Sequence, residues 1–282
     1  MLFFALFTLV FSDSLVDLIN SNPKRTWTAR SYPKFTRATV VPRLGLKGLK
    51  RNAHVDPTPS NDLPESFDSR QQWNLIPIRD QASCGSCWAF STSTSFADRR
   101  SVAGYALETL SPADLVLCDE YDQGCNGGEF ETSMSWISQT GVALDSCIGY
   151  NETLQAGNDT GLECPATCDD GTDITRYKSF AWKHLLTVSQ MQESIYKYGP
   201  ISSGFYVYDD FYDYSTGVYI YYYGDYLGGH AIVVLGWGTE DGVDYWICQN
   251  SWGEDWGESG YFRIRRGTDE CGIESNAFCL FA

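Results

Sequence analysis

A cysteine stands at the start of a helical run in Cys84-Gly85-Ser86-Cys87-Trp88-Ala89-Phe90. There the helix dipole and the unpaired first N–H groups stabilise a thiolate, so Cys87 is a candidate nucleophile. A nucleophilic thiol needs a base, and the chain has three His: His54, His184 and His230. His230 follows Gly228-Gly229 at the head of an apolar run, 143 residues beyond Cys87. Asn250, in Gln249-Asn250-Ser251-Trp252-Gly253, lies 163 residues beyond it. Gly124-Cys125-Asn126-Gly127-Gly128 supplies a fourth short motif. Cys84-x-x-Cys87 alone would also suit a redox pair or half a zinc site. No βαβ pattern surrounds it, and three His leave little for metal ligation.

These residues need elements to hold them. Cys87 to Ala103 has few helix breakers, and Ser111-Pro112-Ala113-Asp114 has an N-cap Ser followed by Pro at the first helical position. Met134, Trp136 and Ile137 sit in another short run, and Ser189-Gln190-Met191-Gln192 has a capping-box pattern. After Pro200 the text turns aromatic and β-branched: Phe205–Tyr208, Val218–Tyr221, Ala231–Leu235, Tyr245–Cys248 and Tyr261–Ile264, with Gly-rich turns between. Helices first and strands later predict an α+β fold of two lobes.

Charge divides the chain. Overall, 20 Lys and Arg face 36 Asp and Glu, a net charge of −16, which disfavours nucleic-acid binding. Hydrophobic residues at 43% and charged residues at 20% exclude bulk disorder. Residues 13–61 carry nine Lys and Arg against three Asp, whereas 62–282 holds eleven basic and thirty-three acidic residues and all ten Cys. Leu2 to Phe11 is too short to span a bilayer and suits a secretory signal over 1–12. A basic, Cys-free stretch behind it, ending in the turn-prone Asp56-Pro57-Thr58-Pro59-Ser60-Asn61, reads as a propeptide over 13–61. No later segment has the length and apolarity of a membrane helix, so no membrane anchor is expected.

The four ordered motifs resemble the papain-like cysteine peptidases, and among them the cathepsin B group, over roughly 63–282. Cys84-Gly85-Ser86-Cys87-Trp88 matches the family's C-G-[SA]-C-[WY] signature. Leu63-Pro64-Glu65-Ser66-Phe67-Asp68-Ser69-Arg70 is similar to the start of a mature enzyme, and Leu235-Gly236-Trp237-Gly238 and Cys271-Gly272-Ile273-Glu274-Ser275 to its second lobe. The resemblance implies a papain-like fold, with a helical N-terminal lobe, an antiparallel β-barrel-like C-terminal lobe and the active site in the cleft between. It implies a peptidase domain over 62–282, made as a secretory-pathway zymogen. Cys87 would attack the peptide carbonyl as a thiolate lowered in pKa by His230, and His230 would act as base and acid. Asn250 would orient His230 with Trp252 shielding their hydrogen bond, and Gln81 would join the Cys87 N–H in the oxyanion hole. Gly127, Gly128, Phe130, Gly204, Ala231, Trp252 and Asn276 would bind substrate around the second subsite.

Two departures shape the expected activity. Between Cys147 and Cys164, where cathepsin B carries an occluding loop with a His pair, this chain has no His and no Cys. Asn276 replaces an acidic residue at the bottom of the second subsite, although Glu274 is two residues away and could swing toward it. An endopeptidase without Arg preference is therefore expected. Asn151 and Asn158 head N-x-T sequons. The resemblance pairs Cys84 with Cys125, Cys118 with Cys164 and Cys147 with Cys168, leaving Cys248, Cys271 and Cys279, two of which could pair. No cofactor or metal is implied. The implied partners are peptide or protein substrates, the propeptide as inhibitor and cystatin-type inhibitors, around a monomer in lysosome-like or endocytic vesicles or secreted. A catalytically silent papain-like binding protein is the rival reading, against which all four catalytic residues are present.

Overall fold

The computed structural model describes residues 10–50 and 62–282. The linker reading of 56–61 lies outside the described residues. So does the signal reading, except for Val10 to Ser12, which belong to helix α1. The leader consists of α1 (Val10–Ser21), strand β1 (Trp27–Ala29) and the single turn α2 (Arg37–Val40). A 3-10 turn over Val41–Arg43 follows, then a stretch without regular structure through residue 50.

The body opens with β2 (Phe67–Asp68), α3 (Ser69–Gln72), α4 (Cys87–Val102), α5 (Pro112–Cys118) and α6 (Phe130–Gln139). Next come β3 (Val142–Ala143), α7 (Glu152–Gln155), β4 (Arg176–Tyr177), β5 (Ala181–Leu185) and α8 (Val188–Tyr198). Six strands finish it: β6 (Ile201–Tyr208), β7 (Tyr214–Tyr219), β8 (Tyr226–Glu240), β9 (Val243–Gln249), β10 (Tyr261–Arg265) and β11 (Ala277–Phe281).

Helix α4 has no apolar stripe because it is enclosed all round, buried from Cys87 to Arg99. Its hydroxyls remain satisfied there, which burial demands. Ser91 Oγ donates to the Ile232 carbonyl at 2.7 Å, and the Ser95 and Ser202 hydroxyls meet at 2.8 Å. Helix α5 starts as the sequence predicts, with Ser111 Oγ accepting the Asp114 N–H at 2.9 Å. The N-cap of helix α8 lies two residues before the predicted one. Thr187 Oγ1 accepts the Gln190 N–H, and Gln190 Oε1 accepts the Leu186 N–H at 2.8 Å, so the Thr187-x-x-Gln190 spacing wins over Ser189-x-x-Gln192.

The large sheet runs β1-β7-β10-β9-β8-β6-β11-β5, with β2 paired to β8. Pairing is antiparallel except between β7 and β10. The two-lobe α+β fold stands, but the second lobe's sheet is open rather than closed into a barrel. Each lobe has its own core: one around Trp88, Phe96, Met134 and Ile137, the other around Trp237, Trp246, Trp256 and Phe262. The leader belongs to both. Trp27, Tyr32 and Phe35 enter the second core, and Leu46 enters the first. β1 adds to the edge of β7 in Trp27↔Gly217 register, and Trp27 Nε1 donates to the Ile220 carbonyl at 2.9 Å.

The three disulfides implied by the resemblance are present: Cys84–Cys125, Cys118–Cys164 and Cys147–Cys168. Cys248, Cys271 and Cys279 are all free thiols, so no fourth pair forms among them.

Candidate active site

Cys87 is the first residue of α4 and is fully buried. The Cys84–Cys125 disulfide and the Gly85 N–H to Cys125 carbonyl bond (3.0 Å) tie the turn before it to the Gly127-Gly128 segment. Across the cleft, His230 lies on β8 and Asn250 directly follows β9, strands that pair with each other. His230 Nε2 and Asn250 Oδ1 are 2.8 Å apart, and the same oxygen accepts the Ser251 N–H at 2.8 Å. An amide oxygen only accepts, so Nε2 carries the proton and Nδ1 is left as a bare acceptor. Nδ1 has no hydrogen-bond partner among the described residues. The Ala231 N–H, next to His230 in the chain, faces the Cys87 sulphur.

Trp252 lies against His230 with ring centroids 4.9 Å apart and is covered in turn by Phe35 at 5.9 Å. It therefore covers one face of the imidazole. The sequence reading also places it in the substrate-binding set; it lies behind His230, fully buried, rather than along the peptide path.

The cleft is filled by the leader. Gln81 Nε2, the expected oxyanion donor, donates to the carbonyls of Arg43 and Cys84, both at 2.8 Å, while its Oε1 accepts from Ser251 Oγ at 2.7 Å. The N–H groups of Gly45 and Leu46 face the Cys87 sulphur together with those of Trp88 and Ala231. The Gly128 N–H donates to Gly45 (2.9 Å), the Lys47 N–H to Gly128 (2.8 Å) and the Leu46 N–H to Gly229 (3.1 Å), in each case to the carbonyl. Leu46 and Gly128 form a parallel bridge.

The expected second-subsite residues surround this strand. A Cβ on Gly127 would lie 2.3 Å from the Gly45 carbonyl oxygen. One on Gly204 would meet Leu46 at 2.2 Å, Leu49 at 2.8 Å and Phe130 at 3.3 Å, so leucines occupy this pocket. Ala231 packs in the same core as Leu46 and Phe130. Asn276 accepts the Lys50 N–H at 2.7 Å and donates to the Lys50 carbonyl at 3.0 Å, gripping peptide backbone as well as facing the pocket. Glu274 does not swing toward it: its carboxylate accepts from Gly267, Asp269 and Trp246 and is buried.

Sequence reasoning missed the leader residues that do this. Arg43 reads as one basic residue among nine, yet its guanidinium is buried on Asp80 at 2.8 Å and its carbonyl sits on Gln81. Gly45 was the available signal, since only a residue without a side chain passes Gly85, whose oxygen would lie 1.7 Å from a Cβ.

Electrostatics follow from this cover. Burial pushes the Cys87 thiol up, although four N–H groups oppose the shift. Burial pulls His230 down to about 4, against the hydrogen bond to Asn250. The leader-covered pair is therefore neutral thiol and neutral imidazole. Beneath the leader, burial works against the thiolate that the helix start and the N–H donors favour.

A family model described as papain family cysteine protease matches residues 63–281. Cathepsin B-like CP2 of Giardia intestinalis is 42% identical over 235 residues, covering 79% of this chain and 76% of that protein. A gut-specific cysteine proteinase of Caenorhabditis elegans is 40% identical over 292 residues, covering 93% of this chain and 88% of that protein. Among solved structures, proCathepsin B S9 from Trypanosoma congolense superposes with a TM-score of 0.84 at 32% identity, over 95% of this chain and 97% of that one. The chain belongs to the papain family of cysteine proteases. Within that family it is a cathepsin B-like cysteine protease.

Neutralisation by burial has a measurable consequence. Site-resolved alkylation of Cys87 at pH 6 should be slower by about a hundredfold or more in the intact chain than after removal of residues 13–61. Because the covered thiol is raised, its rate should climb only under alkaline conditions, whereas the uncovered thiol should already react in mild acid. Equal rates at pH 6 would show that the leader does not control the thiol.

Proposed function

We propose that residues 62–282 are a cysteine endopeptidase held as a zymogen by residues 13–61. The observation that carries this reading is the Arg43 carbonyl on Gln81 Nε2, with the following backbone running over Cys87. A peptide carbonyl is thus held by the donor that would stabilise an oxyanion. Over Cys87 the leader brings the backbone N–H groups of Gly45 and Leu46 toward the sulphur.

With the leader gone, His230 Nδ1 takes the thiol proton and Cys87 Sγ attacks the substrate carbonyl carbon. Gln81 Nε2 and the Cys87 N–H donate to the oxygen as it gains charge. The imidazolium then protonates the leaving amine, and the thioester is hydrolysed by water that His230 deprotonates. Asn250 keeps Nδ1 pointed at this work by holding Nε2–H.

Internal cleavage is supported by the 148–163 stretch, which contains no His, Lys or Arg to bind a terminal carboxylate. It packs back on the loop before Cys87 instead, with the Ser83 N–H donating to Gln155 and the Cys125 N–H to Asp159. Three disulfides support an oxidising route of synthesis, either to endocytic vesicles or to secretion. Asn151 and Asn158 are exposed, as glycosylation requires.

Magnitudes decide what holds the leader. Trp27, Tyr32, Phe35 and Leu46 are each less than a tenth exposed, worth about 1.5–3 kcal/mol per large apolar side chain. The exposed pairs Arg37–Asp209 and Lys50–Glu131 are worth about 0–1 kcal/mol each. Apolar anchoring dominates, and charge tunes it. The tuning centre is Asp80, which accepts both Arg43 and Lys34. Burial pushes its carboxyl up, but Arg43, Lys34 and the Ala82 N–H outweigh this and hold it below the ordinary value. A carboxyl depressed by the leader strengthens leader binding above its leader-free pKa. That contribution is lost as pH falls through the depressed value.

Cys87→Ala and His230→Ala should each lose several orders of magnitude in kcat/KM while remaining folded, and Asn250→Ala should lose less. On fluorogenic peptides, Leu should exceed Arg at the second subsite, and amidated C-termini should be cleaved as well as free acids. Folded Cys87→Ala with near-normal activity, an Arg preference or sequential dipeptide release would each contradict the corresponding assignment.

Leader peptide added in trans should inhibit strongly at pH 7 and lose affinity from about pH 5 to about pH 3. Asp80→Asn should flatten that dependence and weaken binding at pH 7, because it leaves the buried Arg43 guanidinium without its carboxylate. A wild-type profile flat from pH 7 to pH 3 would remove Asp80 as the acid-sensitive contact.

A further inference from the structure

The two ends of the leader strand in the cleft meet different chemistry. The Arg43 carbonyl accepts from Gln81 Nε2 at 2.8 Å, and the N–H groups of Gly45 and Leu46 face the Cys87 sulphur. Leu46 and Leu49 then fill the space beside Gly204, and the Lys50 N–H donates to Asn276. Arg43 and the second subsite therefore lie on opposite sides of Cys87. In a peptidase, residues before the scissile bond enter the second subsite. Residues after it run toward the place that Arg43 holds.

That place is built on a carboxylate of the body. Asp80 stands beside Trp252 and Gly253: it forms a bridge with Trp252, and a Cβ on Gly253 would lie 3.3 Å from its Oδ2. Arg43 Nη1 meets Asp80 Oδ1 at 2.8 Å, with 6% of the Arg43 side chain exposed. Lys34 Nζ meets Oδ2 at 3.0 Å. Among the described residues these are the ion pairs of Asp80, and both cations belong to the leader. Neighbouring Arg79 is committed to Asp145 at 2.6 Å. Removal of residues 13–61 takes both cations away and leaves the carboxylate with the Ala82 N–H on Oδ1 at 2.8 Å. Its two oxygens then match the parallel N–H donors of a single guanidinium. The acid at the other end of the strand selects less: Glu131 and its partner Lys50 are both about half exposed, so solvent screens that pair.

We propose that Asp80 sets the specificity of the cleft beyond the scissile bond. The favoured substrates are polypeptides with Arg directly after that bond, its guanidinium taking the place of Arg43 on the Asp80 carboxylate. This inference rests on the peptidase reading above and adds a substrate class to it.

The test uses protein processed from the full chain, with residues 13–61 removed. Internally quenched peptides carry Leu as the second residue before the bond and differ only in the residue after it: Arg, citrulline or Glu. Citrulline keeps the length and planarity of Arg without its charge. At about pH 6 an exposed carboxyl is ionised. There kcat/KM for the Arg peptide should exceed that for citrulline by about fivefold or more, with Glu slower still. Added salt should shrink the ratio. Asp80→Asn removes the charge but keeps an acceptor oxygen for the Ala82 N–H, and its Arg-to-citrulline ratio should fall below about twofold. The wild-type comparison stands whether or not that variant folds. Equal rates for Arg and citrulline in the wild type, a ratio indifferent to salt, or an unchanged ratio in folded Asp80→Asn would each overturn the proposal. Failure to cleave any of the peptides would remove the peptidase reading itself, and this preference with it.

Discussion

Closeness of backbone approach governs the cleft. The leader strand at Gly45–Lys47 exchanges hydrogen bonds with Gly128 on one side and Gly229 on the other, while its N–H groups lie over Cys87. Such a strand fits only where side chains are missing. A Cβ on Gly45 would stand 1.7 Å from the Gly85 oxygen, and one on Gly229 would stand 2.3 Å from the Leu46 oxygen. Glycine therefore has a steric task on both partners, and the disulfide at Cys84–Cys125 keeps the body's side of this arrangement in place.

That closeness sets the protonation of the pair beneath. With the leader over them, Cys87 and His230 lose water, and desolvation favours the uncharged form of each. The His230–Asn250 hydrogen bond survives burial and leaves Nδ1 unprotonated and without a partner among the described residues. Burial thus favours the uncharged form of both groups while the leader is in place. Removing the strand restores water, and with it the dipole and N–H donors at the start of α4 can again favour a thiolate.

Much of this was legible in the sequence, for identifiable reasons. Cys87, His230, Asn250 and Gln81 lie in short motifs whose residue types are dictated by chemistry, and the strands after Pro200 are rich in aromatic and β-branched residues. Strands β5 and β11 gave weaker signals; Ala181–Leu185 carries Lys183 and His184 and is only partly buried. Helix α4 offered no amphipathic pattern because both lobes enclose it. The leader's charge excess was visible, but its main hold was not. Trp27, Phe35 and Leu46 matter through contacts with residues far away in the chain, and no local period reports that. Open disposition of Cys248, Cys271 and Cys279 was likewise a matter of tertiary placement.

The central claim is that passage of one side-chain-free residue over Gly85 keeps Cys87 covered. Gly45→Ala in the intact chain tests it directly, with the rate of Cys87 labelling by an epoxysuccinyl probe as the readout and Lys47→Ala as the control for loss of a nearby side chain. The added methyl cannot share space with the Gly85 oxygen, so the strand must lift. The account predicts labelling of Gly45→Ala faster by about tenfold or more than wild type and Lys47→Ala. Labelling of Gly45→Ala as slow as wild type would contradict it.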